Sequence, residues 1–456
     1  MQRLAIGALM IVLAAPCGAA AQQQQSSKDS VYEELNLFDE AFERVRQDSV
    51  DPVTDTKLVG AAIAGMLSGL DPHAAYLDAA ALKAQKGSGG SEEPGVGVVV
   101  TIVNGEPKVI SPRDGSPAAE AGIKPGDLIF SIDKQPTYEL SLAEIEQKLR
   151  GPAGSSVALV LRRGNGGPIR LTLKRAPLPA QTVAARVIDG NLGYLRVAGF
   201  DSATQPALAA AVQQLRDRTG GKLAGLVLDL RNDPGGDFSA AVAVADAFLD
   251  KGDVAVIKGR KPFSVKHISA TPGDLAKGLP IVVLVNGGTA HEAELVVGAL
   301  QDNHRAILLG TKTFGESAIE SLIPLGSGGA VRLTTSRFTT PNGREIDGKG
   351  LEPDLTVTPL KLQKLAQEEV LHEADLPGAL KNPDQPVPGT AVPGTAANPG
   401  AKPAPAGAPP GATATPPPKT APSVATGEIG GAGDEQLTQA LDVLRGLAVF
   451  NRRASG

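Results

Sequence analysis

Few side chains in this sequence can do chemistry, and their types already narrow the options. Cys17 is the single cysteine. It lies in an N-terminal apolar segment, so the rest of the chain offers no thiol nucleophile, no disulfide and no cysteine-based zinc site. Histidine occurs at His73, His267, His291, His304 and His372. His291 sits in NGGTAHEAELVVGALQD, where an apolar strand gives way through small residues to a helical pattern. An imidazole there can act as acid, base or hydrogen-bond donor. Asp229, Arg231 and Asp233 close another apolar run, LAGLVLDL, and read as fixing the turn that presents Pro234, Gly235 and Gly236.

The elements that must hold these groups follow from pattern. Residues 180–359 alternate apolar strands (LAGLVLDL, PIVVLVNG, RAILLG) with helical segments (ATQPALAAAVQQLRDR, SAAVAVADAFLD). Strands apolar throughout, separated by amphipathic helices, predict a largely parallel or mixed sheet covered on both faces. Ahead of this core, residues 95–175 break into short apolar runs bounded by Gly, Pro and Asp, with a helix at 142–149 and a shorter one near 117–121. Further upstream, Leu35, Leu37, Phe38, Ala41, Phe42 and Val45 recur at helical spacing, and a second helix covers residues 57–70.

The N-terminus reads as a secretory signal: Arg3, the apolar stretch from Leu4 to Ala15, then Ala19, Ala20 and Ala21 before Gln22. Cys17 suggests a lipoprotein, but Pro16 before it fits that signal poorly. No later stretch is apolar for the length of a membrane span. The expectation is an exported, periplasmic protein without an integral span after cleavage, with membrane association left open. A net charge of -5 from 44 basic and 49 acidic residues gives no electrostatic reason to expect a nucleic-acid partner. Residues 381–433 are a Pro/Ala/Gly-rich tract that cannot bury a core. A helical pattern returns at 434–452 and is expected to dock.

Within the small β-rich region, GVGVVV and SPAAEAGIKPGDLIFSID resemble a PDZ domain. In such a domain a glycine-bracketed loop points N–H groups at a peptide's terminal carboxylate, and the following strand takes the peptide as an added strand. Gly95, Val96, Gly97 and Val98 are the candidate peptide-binding residues.

LVLDLRNDPGGDF, the stretch from IVVLVNGGTAHEAEL to GTKTFGESAIESLIPL, and VRLTTSRFTTPNGREIDGKGLEPD resemble the C-terminal processing (tail-specific) peptidases, PDZ-containing serine peptidases. The resemblance extends from NLFDEAFERVRQDSVDPV to the final helix and omits only the Pro-rich tract. It implies an α+β, α/β multidomain fold: signal peptide 1–21, N-terminal helical region 29–85, PDZ domain 92–175, peptidase-like α/β core 176–380, disordered linker 381–433 and C-terminal helix 434–452. It implies a serine nucleophile, a lysine base and an orienting glutamine, with backbone N–H groups of Gly235 and Gly236 holding the oxyanion. Here those three positions hold His291, Glu316 and Glu320. The separation of His291 from Glu316 agrees with the family's serine-to-lysine spacing, which argues against a misplaced gap.

Two readings follow. One is a degenerate pseudopeptidase that binds protein or peptide C-terminal tails without cutting them. The other is an active endopeptidase, either serine-type, rescued by Thr289 or Ser317, or metal-assisted through His291, Glu316 and Glu320. No cofactor is expected. The remaining histidines, His73 among them, read as surface or structural. A homo-oligomer or an adaptor lipoprotein is an expectation carried by the resemblance alone.

Overall fold

The computed structural model describes residues 18–87, 93–178, 182–261, 263–326, 328–358, 429–431 and 433–454. Cys17 and most of the signal segment, Ser88, Gly89 and Gly90, His372 and nearly all of the Pro-rich tract lie outside the described residues. Residues 358–439 form a unit of their own, apart from 1–357 with 440–456.

Strands Leu192–Val197, Gly225–Asp229 and Ile281–Val285 are buried at every position, as strands covered on both faces must be. They pair in parallel, and Ile307–Gly310 and Leu355–Thr356 extend the parallel set outward. Val183–Ile188 closes the other edge antiparallel, so the sheet is mixed. On one face Leu195, Leu226, Leu228 and Val283 share a core with helices Thr204–Arg218, Phe238–Asp246 and Glu292–Asp302. Glu292–Asp302 is buried from Glu292 through Leu300, the mark of an interior helix rather than a surface one.

A second sheet carries Ala75–Leu77, Ala330–Thr339, Asp253–Gly259 and Val265–Ser269, with Ala318–Pro324 also on Ala330–Thr339. The PDZ-like sheet is separate, and Val98–Val103 lies at its edge. Its helix Leu142–Leu149 begins with a capping box, Ser141 with Glu144, and buries Leu142, Ile145 and Leu149.

Helix Gly18–Asp48 covers the periodic stretch and extends upstream into the segment read as signal peptide, and Asp55–Ser68 lies two residues ahead of the expected 57–70. Their apolar stripe, however, stays exposed in the single chain, with Leu35, Leu37, Phe38 and Val45 each about half accessible. The last helix, Glu435–Ala454, does dock at its middle: Leu444 is buried beside Gly225, and Arg445 hydrogen-bonds to Asp189.

Candidate active site

The glycine turn is built by carboxylates and by close backbone approach. Asp233 Oδ1 accepts from Gly235 N at 2.9 Å, and Ala290 N donates to the Asp233 carbonyl at 2.9 Å. Gly235 and Gly236 have φ of +98° and +154°, and a Cβ on Gly236 would stand 2.2 Å from the Phe200 carbonyl oxygen. No other residue type fits there. Upstream, Asp229 accepts from Arg231 Nε and from Tyr194 Oη, each at 2.9 Å. The acidic cluster is therefore the brace of the turn.

His291 caps the N-terminus of Glu292–Asp302 with φ 48° and ψ -122°. A non-glycine residue in that region carries strain of roughly 1–3 kcal/mol and persists only where the surroundings over-determine it. They do so here. A Cβ on Gly235 would stand 2.7 Å from His291 Cβ, and Glu294 N donates back to the His291 carbonyl at 2.9 Å. Thr289 is committed to the same loop: its Oγ1 donates to Leu230 O at 2.8 Å and accepts from Asn286 N at 3.1 Å. That hydroxyl is spent on structure, which removes it as a substitute nucleophile.

Glu316 is presented by buried Glu294, whose carboxylate accepts from Thr313 Oγ1, from Gly315 N at 2.9 Å and from Glu316 N at 2.8 Å. His291 Nε2 lies 2.8 Å from Glu316 Oε2. The other oxygen, Oε1, is in contact with His73 Nε2. This corrects the sequence expectation for His73, which belongs to the site. Asp71 fixes its backbone by accepting from His73 N at 2.9 Å and Ala74 N at 2.8 Å. Strand Ala75–Leu77 then pairs with Ala330–Thr339 and delivers the ring. Glu320 does not reach His291's partner: its oxygens lie 3.6 Å from His73 Nδ1 and 3.4 Å from Arg332 Nε. The expected trio of His291, Glu316 and Glu320 is thus not one ligand set, and among the described residues no group of three or more histidine, cysteine or acidic side chains is placed to hold a metal ion.

Burial works to lower the pKa of His291, but the hydrogen bond and charge of Glu316 outweigh it and raise the imidazole to about 9. Burial conversely works to raise Glu316, and the two histidines overcome it, leaving the carboxyl at about 2. His73 is likewise raised, Glu316 prevailing over burial and over the like charge of His291. At neutral pH the Glu316 carboxylate faces a protonated His291, and it pushes His73 toward its charged form. Position 291 therefore holds a cation with no free electron pair for proton abstraction.

The oxyanion expectation also needs revision. Gly235 N is taken by Asp233, and Gly236 N donates to Glu292 Oε2 at 3.0 Å. Both N–H groups are occupied by carboxylates of the chain itself. Glu292, which sequence reasoning passed over, is buried and raised in pKa chiefly by that burial.

The PDZ-like unit reaches this turn directly. Ser111 Oγ donates to Asn232 O at 2.6 Å, and Arg196 Nε donates to Asp114 Oδ2 at 2.8 Å. In its loop Gly95 exchanges both backbone bonds with Ala176, and Val96 N donates to Leu149 O at 3.2 Å. Two of the four expected peptide-binding N–H groups are therefore already used, which leaves Gly97 and Val98 at the head of the edge strand. Beside Glu316, its neighbour Ser317 helps line a cavity of about 610 Å³ with Lys258, Arg337, Phe338 and Ile346.

Comparison with known proteins decides the family. The Peptidase family S41 model matches residues 191–357, a PDZ domain model residues 108–163, and that of the Activating protease CtpB N-terminal domain residues 14–81. The carboxy-terminal-processing protease of Bartonella bacilliformis is 41% identical over 359 residues, 78% of this chain and 82% of that protein. The chain belongs to the carboxy-terminal processing protease family. Carboxy-terminal processing protease CtpA of Bacillus subtilis is 32% identical over 76% of this chain and 73% of its own length. Among solved structures, the photosystem II D1 C-terminal processing protease superposes with a TM-score of 0.62 at 31% identity, over 71% of this chain and 92% of its own. The family's fold class, a helical segment, a PDZ-like β domain and a mixed-sheet peptidase core, is the one described above. Among the described residues no helix is long and apolar enough to cross a membrane.

Proposed function

We propose that this family member is exported through its N-terminal signal segment and captures protein C-terminal tails on its PDZ edge strand without cutting them. The observation that carries the reading is the state of the dyad positions. His291 and Glu316 neutralise each other where the resemblance implies a serine and a lysine, so neither an acylating hydroxyl nor a neutral amine is present. Glu292 on the Gly236 N–H supports it further, because a substrate carbonyl would have to displace a carboxylate to reach that donor. Tail capture is supported by the free side of Val98–Val103, which lies at the sheet edge where strand addition occurs. A fold shared with proteases does not by itself carry proteolysis.

The test uses the purified mature chain and an unstructured substrate ending in apolar residues. The expected result is saturable binding with an intact substrate after prolonged incubation. Binding should weaken in Gly97→Ala, whose new Cβ would stand 2.2 Å from Ser116 Cβ. Cleavage by the wild type that disappears in His291→Ala would overturn the non-cutting reading. Undiminished binding by Gly97→Ala would overturn the PDZ assignment.

A further inference from the structure

We propose that the hairpin joining Asp253–Gly259 to Val265–Ser269 docks tip-first on an anionic phospholipid surface. The inference does not rest on tail capture, for it uses no residue of the PDZ-like unit or of the His291–Glu316 centre.

The sequence of the hairpin runs against the balance of the chain. The whole sequence carries a net charge of -5, yet residues 254–273 contain no Asp or Glu. Lys258, Arg260, Lys261 and Lys266 all fall within that stretch. Each is exposed, and none forms an ion pair among the described residues. Glu345 and Asp347 share a cavity with Lys258 and Arg260, but each already has its own partner, Lys349 and Arg337.

A second observation is at the tip. Phe263 is 83% exposed, and among the described residues its ring contact is with Lys261, whose Nζ lies 5.8 Å from the centroid. The turn holds the ring outward: Ser264 N and Oγ both donate to the Lys261 carbonyl, at 2.8 and 2.6 Å. A ring ordered in water gives up no packing when it enters a lipid interface, where its apolar surface leaves water.

Register sets the charges around that ring as a collar. Lys258 pairs with Val265, and Ile257 with Lys266. Paired residues share a face and successive residues alternate, so Lys258 and Lys266 leave opposite faces of the hairpin. Arg260 and Lys261 occupy its turn. At about 3.3 Å per residue, all four lie within about 10 Å of the tip, roughly one Debye length. Docking on one face would strand half the collar. Entry by the tip lets every cation reach headgroup phosphates on its flexible stem while Phe263 passes below them. A second copy of the hairpin would instead set like charge against like.

The experiment sediments the tag-free mature chain with vesicles of phosphatidylcholine alone, or of phosphatidylcholine and phosphatidylglycerol in equal parts. Expected are binding to the mixed vesicles, release by high salt, and no binding to phosphatidylcholine alone. Lys258→Gln, Arg260→Gln, Lys261→Gln and Lys266→Gln should each weaken partitioning about fivefold. Phe263→Ser should weaken it too, whereas Tyr138→Ser, at a similarly exposed ring of the PDZ-like unit, should not. The chain has no tryptophan, so Phe263→Trp supplies a single fluorophore, and its emission should shift to the blue on the mixed vesicles. Equal binding to both vesicle types, an unshifted emission, or full binding by the variant lacking all four cations would overturn the proposal. Self-association without lipid that Phe263→Ser removes would assign the tip to a second copy and overturn it as well. Tail capture should be unchanged in Phe263→Ser, so the two proposals fail separately.

Discussion

Replacing Glu316 by glutamine isolates the force that sets the His291 charge. Burial alone would hold the imidazole below its ordinary 6.5, and Glu316 lifts it to about 9. The net rise is about 2.5 units, or about 3 kcal/mol at 1.36 kcal/mol per unit. Glu316→Gln keeps the shape and removes the charge, leaving burial opposed only by the weaker pull of Glu292 and Glu320, so His291 should titrate well below its wild-type value. The assay is NMR titration of the imidazole Cε1–H signals, with His291→Gln assigning the resonance. The sign for stability follows. A raised histidine stabilises fully below 6.5 and loses that contribution as pH rises through about 9. Glu316, lowered to about 2, stabilises above 4.5 and loses its contribution as pH falls through about 2. The pair's energy, counted once, is thus fully present between about 4.5 and 6.5, and Glu316→Gln should flatten both flanks of the profile. A wild-type His291 titrating near 6.5, or one unmoved by Glu316→Gln, would refute the argument.

Other perturbations test the scaffold. Glu294→Ala strips the acceptor from Thr313 Oγ1, Gly315 N and Glu316 N. At about 1–3 kcal/mol per orphaned buried donor, it should lower the denaturation midpoint by the equivalent of about 3–9 kcal/mol, and a loss below about 1 would refute the role. Leu444→Ala should cost about 2–5 kcal/mol if the last helix is part of the core. Arg445→Ala, which removes an exposed, solvent-screened pair with Asp189, should barely move the midpoint; the reverse ranking in urea melts would count against docking by apolar contact.

How much was legible depended on whether a signal was local. Continuous apolar runs marked Gly225–Asp229 and Ile281–Val285, and the helix expected at 142–149 is found at those bounds. Val265–Ser269 escaped notice because it is short and mostly exposed, so no period-two pattern marks it. His291, Glu316 and Glu320 were located by resemblance and spacing, but their partners were not. His73 arrives from the N-terminal region through pairing of Ala75–Leu77 with Ala330–Thr339, a long-range contact with no local signature. Glu292 reads locally as an ordinary first-turn acid favoured by the helix dipole, and only the fold shows that it points at Gly236. Gly95 and Val96 failed as free donors for a similar reason: the chain's own carbonyls at Ala176 and Leu149 already use them.

The carboxylate on Gly236 also bears on the way back to catalysis. Returning His291 to serine and Glu316 to lysine would restore the two reacting groups, yet Glu292 would still sit on the donor that a tetrahedral oxygen needs. Gly235, having no side chain, is what lets that carboxylate lie so close: a Cβ there would stand 2.5 Å from Glu292 Oε2. The position next to the nucleophile thus works as a ratchet: reactivation takes a third change, and none of the intermediate double variants is expected to gain turnover on which selection could act.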